Sequence, residues 1–195
     1  MILAHAVALA GNIGAPEGLR LLARGPLECF YREREDAPQA SESEVRSFFT
    51  ANQALFAQAD ILEFRFPTVV YGLQELEEFV AHHEGTILSE LTRLHGLAQL
   101  AVYLRKGPAT TTEPVKSGTE YLQKKSARAR EQIEEIDAAR VAAGTDLRDS
   151  VVQGNRLLLL VPRQVVPDVA QKIRANTGLV VAGPFPPSAF AKLLS

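Results

Sequence analysis

What this chain lacks narrows its chemistry first. It has one cysteine, Cys29, so no intrachain disulfide is possible and cysteine-rich metal sites are excluded. It has no tryptophan, and aromatics make up only 7%, which leaves few platforms for stacking nucleotide bases. A charge excess of either sign is missing too: the net charge of −2 provides no bulk attraction to nucleic acid or anionic membrane. No apolar run reaches the length of a transmembrane helix. HExxH, Walker A, Rossmann glycine and G-x-S-x-G patterns are all absent. These absences lead to the expectation of a non-enzymatic protein without cofactor or metal, binding neither nucleic acid nor membrane.

What remains is ordinary globular material. The 195 residues, 46% of them hydrophobic, suffice for one large or two small cores. "MILAHAVALAGNIGAPEG" is apolar, but no Lys or Arg precedes the run, so it reads as a first strand rather than a signal peptide. A cytoplasmic location is expected.

Periodicity then orders the chain. "LRLLARGPLECFYRERE" predicts two strands around a turn at Gly25-Pro26. Ser41 with Glu44 predicts a capping box opening a helix, whose apolar face would hold Val45, Phe48, Phe49, Asn52, Leu55, Phe56 and Ala59. In "ILEFRFPTVVYG", Leu62, Phe64, Phe66 and Thr68 would share one strand face and Glu63, Arg65 and Pro67 the other; Pro67 argues for an edge, a bulge or an early break. Leu76, Val80, His83, Ile87, Leu91 and Leu94 predict a long helix ending at Gly96. "LAQLAVYLRK" reads as a strand, "GPATTTEPVKSGT" as a polar loop and "EYLQKKSARAREQIEEIDAARVAAG" as a helix. "RLLLLVP" reads as a central strand, Pro167 to Gly178 as a capped helix, and "LVVAGPFPP" as a last strand stopped by proline.

The fold class expected is α+β in two domains. Residues 1–60 would form a small α+β domain. Residues 61–195 would form a ferredoxin-like (split βαβ) domain, in which the helical stretch at 106–154 is an insert.

Candidate chemistry is thin. "HHEG" at His82 and His83 lacks a second ligand at helical spacing, and one exposed and one half-buried helix histidine is the simpler reading. Cys29 lies in a predicted strand and reads as a small buried hydrophobe. "GNIGAPEG" resembles a phosphate loop superficially, without the Lys-Ser/Thr ending. Asn52 interrupts an apolar stripe and needs partners if buried. In "KKSARAREQIEEIDAAR" basic residues precede acidic ones, which suits a solvated face or a partner of opposite polarity.

Several ordered segments resemble the gas vesicle protein F/L family (GvpL/GvpF). "ILEFRFPTVVYG" is similar to the family's "vLPfRFGTVf" strand, "SGTEYLQKK" to its "sG-x-x-YL" helix start, and "AGPFPPSAF" to its terminal "tGPWPPYSF". The matching positions are Arg65, Phe66, Thr68, Gly118, Tyr121, Leu122, Gly183, Pro184, Pro186, Pro187 and Phe190, with Phe185 at the family's Trp. They are expected to support the fold, with Phe185 and Phe190 buried so that "PFPP" is a structural terminus and not a free docking peptide. Departures fall at Asn52, Pro67, Phe185 and Ser188. The resemblance implies two α+β domains and a non-enzymatic accessory role in assembling gas vesicles. The partners it implies are the apolar shell protein and other accessory proteins, met through the strand holding Pro67 or the C-terminal aromatic segment. The alternative is a ferredoxin-like small-molecule or regulatory binding module unrelated to buoyancy, with a cleft lined by Asn52, Arg65 and His83.

Overall fold

The computed structural model describes residues 1–105 and 118–192; the expected polar loop at 107–119 lies outside the described residues except for Gly118 and Thr119, which open a helix. The chain forms two compact units: Met1–Leu97 together with Phe185–Ser195, and Ala98–Pro184. The second is thus an insertion into the first.

The first unit contains β1 (Ile2–Leu9), β2 (Arg20–Arg24), β3 (Leu27–Glu33), α1 (Glu42–Gln58), β4 (Ile61–Val70) and α2 (Leu73–Arg93). Its sheet has the order β2-β3-β1-β4. The β2–β3 hairpin turns at Gly25, whose φ of 53° lies in the left-handed region that glycine occupies without steric cost. β1 is buried from Ile2 to Ala8, as a central strand covered on both faces must be. Neighbouring side chains on β4 show what covers them. Glu63 meets Asn52 of α1, while the Phe64 ring sits 5.7 Å from Phe79 of α2. Successive strand residues point to opposite faces, so α1 and α2 cover opposite faces of the sheet.

β4 is an edge strand, as β2 is, and its ladder with β1 is broken. Ala4 pairs with Thr68 and Ala6 with Glu63, so five steps on β4 oppose two on β1. Pro67 sits inside this bulge, where its missing N–H costs no ladder bond. The bulge also overturns the expected strict alternation. Phe66 packs on Phe48 of α1, at 5.1 Å, and so does not share the face of Phe64; Glu63 is buried rather than solvent-facing. Opposite β3, His5 is itself the extra residue, because Ala4 pairs with Tyr31 and Ala6 with Phe30.

The helix α1 begins at Ser41, whose Oγ accepts from the Glu44 N–H at 3.3 Å. Only this half of the capping box forms with the side chains, because the Glu44 carboxylate is taken by Arg34. Phe48, Ala51, Asn52, Leu55 and Phe56 are buried, whereas Phe49 is exposed.

The second unit runs β5 (Leu97–Tyr103, its first residue at the boundary), α3 (Gly118–Ala143), β6 (Asp149–Gln153), β7 (Arg156–Pro162), α4 (Val166–Thr177) and β8 (Val180–Phe185). This is β-α-β-β-α-β with sheet order β6-β7-β5-β8, the split βαβ arrangement. The ferredoxin-like class is therefore correct, but its components differ from those expected. α3 is the first crossover helix and not an insert, and β6 is a strand within the stretch assigned to that insert. β4 and α2 belong to the first unit. The boundary expected at residue 60 lies instead after Leu97, since β4 hydrogen-bonds to β1.

α4 carries proline in its first turn and ends at Gly178, whose φ of 66° makes a left-handed cap. Gly183 has φ 127°, and a Cβ there would stand 2.8 Å from the Gln99 carbonyl oxygen, so close strand approach demands glycine.

Candidate functional site

The most unusual chemistry of the first unit is polar and buried. His5 and Asn52 are both fully buried, and they answer each other's needs. His5 Nδ1 lies 3.1 Å from Asn52 Oδ1, and Asn52 Nδ2 donates to the His5 carbonyl at 3.4 Å. With the amide N–H₂ on that carbonyl, Nδ1 carries the imidazole proton and donates to Oδ1. The ring stacks on Phe48 at 4.4 Å. Burial, opposed by the Asn52 bond and reinforced by the nearby Arg32 charge, lowers the His5 pKa to about 4. Glu63 lies on the same side. Burial raises its pKa, against hydrogen bonds from Asn52 and from Ser188 in the C-terminal segment. Asn52 is thus the satisfied core polar group that an apolar stripe requires, and its partners could not be named from sequence spacing.

The C-terminal segment is a structural closure. Pro186, Pro187 and Phe190 are buried and Phe185 is half-buried. A 3-10 turn spans Ser188–Phe190. Arg93 of α2 grips Glu90 through Nε–Oε1 at 3.0 Å and Nη2–Oε2 at 2.6 Å, and its Nη2 also donates to the Phe190 carbonyl at 2.6 Å. Lys192 N donates to Glu90 Oε2 at 3.1 Å. The Arg93 hydrogen bonds, ahead of a smaller opposing burial effect, hold the Glu90 pKa below its ordinary value. β8 runs through Pro184 to Phe185 before the chain leaves the sheet.

The family-motif residues are divided between the two units. Arg65 is exposed, Phe66 and Thr68 are half-buried, and Thr68 Oγ1 donates to the Arg65 carbonyl at 2.6 Å within the β4 bulge. Gly118 opens α3. Tyr121 and Leu122 are 52% and 64% exposed. Along α3, Ile133 and Val141 are exposed as well, while Ala139 and Ala143 are buried.

The remaining candidates resolve simply. Cys29 is fully buried and its thiol is pushed up to about 12 by desolvation, which suppresses the nucleophilic thiolate. His83 is half-buried against Phe79 at 4.5 Å and His82 is exposed. Among the described residues no group of three His, Cys, Asp or Glu side chains converges as a metal site would. Gly14 in "GNIGAPEG" is tied to Gln58 by bonds of 2.9 and 3.1 Å, and the loop leads into β2 instead of a helix N-terminus. The cleft imagined between Asn52, Arg65 and His83 does not form: Asn52 and His83 lie on helices covering opposite faces of the sheet, and Arg65 points to solvent. Among the described residues no helix is long and apolar enough to cross a membrane.

A sheet closed by two helices, interrupted by a complete β-α-β-β-α-β unit, defines a two-unit α+β architecture. Two solved structures share it. GvpF from Microcystis aeruginosa superposes with a TM-score of 0.75 at 11% identity, over 98% of this chain and 99% of that one. GvpF from Anabaena sp. PCC7120 gives 0.78 at 13% identity, over 98% and 96%. At such identities the likeness establishes the fold. No curated protein sequence matches. The family model for gas vesicle synthesis protein GvpL/GvpF matches residues 5–177, and the chain belongs to that family. Its role is accordingly connected with gas vesicles, which removes the alternative of a module unrelated to buoyancy.

Proposed function

We propose that this protein is a non-enzymatic assembly factor that binds the gas vesicle shell protein and other accessory proteins in the cytoplasm. The observation that carries this reading is the face of α3 bearing Tyr121 and Leu122. These motif residues leave about half or more of their surface to solvent, and burial in a partner gives them a role that the fold does not. Large aromatic and aliphatic side chains on a solvated helix suit an apolar, aggregation-prone client. Of the two surfaces expected from the sequence, the strand holding Pro67 and the C-terminal aromatic segment, the latter is a poor docking face because Phe190 and both nearby prolines are already buried.

Co-purification tests this. The tagged full chain should retain the co-expressed shell protein, and a Tyr121→Ser/Leu122→Ser double variant should lose most of it while keeping the same circular dichroism. Failure of the parent chain to retain the shell protein would remove the function; equal retention by the double variant would remove α3 as the docking face.

A further inference from the structure

The outer side of α3 carries a stripe that fits its own reverse. Ala139 and Ala143 are buried and mark the side that packs on the second unit. Turned from them lie Leu122, Ser126, Arg130, Ile133, Asp137 and Val141, all exposed. They are spaced by four, four, three, four and four residues. With about 3.6 residues per turn, they fall within about 100° of the helix circumference. Three of them are large aliphatics: Leu122, Ile133 and Val141 are 64%, 57% and 79% exposed, on the face that a solvated helix makes polar.

The spacing reads the same in both directions, as a twofold axis between antiparallel copies requires. Laid on a second copy, the stripe sets Leu122 against Val141, Ser126 against Asp137 and Arg130 against Ile133, each contact made twice. The charges agree with this register. A helical side chain leans toward its own N-terminus, which in an antiparallel pair is the C-terminal direction of the other copy. Arg130 therefore leans past Ile133 toward Asp137 of the second copy, and the two Arg130 side chains lean apart. Basic residues before acidic ones oppose the dipole of a lone helix, but in this pairing they meet residues of opposite charge.

The twofold falls between Glu131 and Gln132, and burial changes at the same point. The described side chains from Thr119 to Glu131 are all exposed, and half-buried positions begin at Gln132. The described residues thus leave the N-terminal half of α3 uncovered on every side. Antiparallel pairing lays this bare half along the packed half of the second copy.

We propose that α3 pairs with α3 of a second copy as an antiparallel twofold dimer, held by Leu122, Ile133 and Val141 and by Arg130 with Asp137. One helix on another over about 28 Å is a small interface, so the dimer is weak and forms as concentration rises. Leu122 alone is shared with the face proposed to dock the shell protein. The chain by itself suffices for the test, so either reading can fail without the other.

Sedimentation equilibrium of the full chain, carried up to several hundred micromolar because the interface is small, should show a monomer–dimer equilibrium. Ile133→Lys sets a lysine against the second copy's Arg130 and should weaken pairing about tenfold or more, with unchanged circular dichroism. Arg130→Asp and Asp137→Arg should each weaken it likewise. Mixing these two variants should restore the parent's association, because each supplies the charge that the other lost. Aerobic cross-linking reads the direction. A Leu122→Cys chain should form a disulfide with a Val141→Cys chain and not with another copy of itself, while the native Cys29 is fully buried. A chain that stays monomeric throughout overturns the proposal. So does a dimer indifferent to Ile133→Lys, a mixture of the charge variants no stronger than either alone, or Leu122→Cys chains that cross-link with one another as readily.

Discussion

His5 and Asn52 are 47 residues apart and fully buried, yet each completes the other's hydrogen bonding, imidazole to amide oxygen and amide nitrogen to backbone carbonyl. The contact ties the central strand β1 to α1 at the one position where β1 carries an extra residue opposite β3.

Replacing Asn52 by Leu should therefore cost about 2–4 kcal/mol, although leucine suits the surrounding apolar stripe. The change strands the His5 Nδ1–H and removes a donor to Glu63, and buried groups left unpaired each cost about 1–3 kcal/mol. Urea unfolding monitored by circular dichroism checks this. A variant as stable as the parent would mean that the polar pair adds nothing to stability.

Acid should weaken the first unit through His5. The folded pKa of about 4 lies below the ordinary 6.5, so the unfolded chain binds more protons between these values. Stability contributed by neutral His5 is complete above pH 6.5 and is lost as pH falls toward 4, with a limit of about 3 kcal/mol. Glu63 acts in the opposite sense: its raised pKa makes stability fall as pH rises through and above 4.5. Arg32 faces the imidazole and keeps its charge throughout this range. Glu63→Gln should thus steepen the pH dependence of stability, whereas His5→Gln should flatten it. Denaturant midpoints measured from pH 4 to 7 would show both slopes.

The pair of glycines Gly183 and Gly85 should respond to alanine with opposite signs. At Gly183 a Cβ meets the Gln99 carbonyl at 2.8 Å with φ at 127°, so Gly183→Ala should cost about 2–4 kcal/mol through strain and overlap. Gly85 lies within α2 with nothing near its Cβ position, and Gly85→Ala should stabilise by roughly 0.5–1 kcal/mol through helix propensity. Thermal unfolding of both variants against the parent measures the difference.

Arg93→Ala should loosen the C-terminal closure. The change leaves the buried Glu90 carboxylate without its bidentate partner and the Phe190 carbonyl without its donor. A cost of about 1–3 kcal/mol is expected, for hydrogen bonds to a charged group lost from a partly exposed pair. Limited proteolysis should then cut near residue 186 faster than in the parent; an unchanged cleavage rate would show that the prolines hold the segment unaided.

Much of this protein follows from local sequence. The strands at Ile2–Leu9 and Arg156–Pro162 are apolar enough to be interior, Ser41 caps its helix, Gly25 turns its hairpin and Gly178 ends α4, because each depends on side chains a few residues apart. The ordered segments around Phe66, Tyr121 and Pro186 also pointed to the family. Three-dimensional pairing decided the rest. β6 is short and polar at its edge, so no periodicity marks it, and without it α3 reads as an appendage. Whether β4 joins β1 or β5 depends on a ladder between residues some 60 apart, to which the pattern of "ILEFRFPTVV" is indifferent. The same holds for a cavity beside His5. Its histidine, arginine and glutamate are unremarkable in the sequence, and only packing β1, β3 and α1 together brings them to line one cavity.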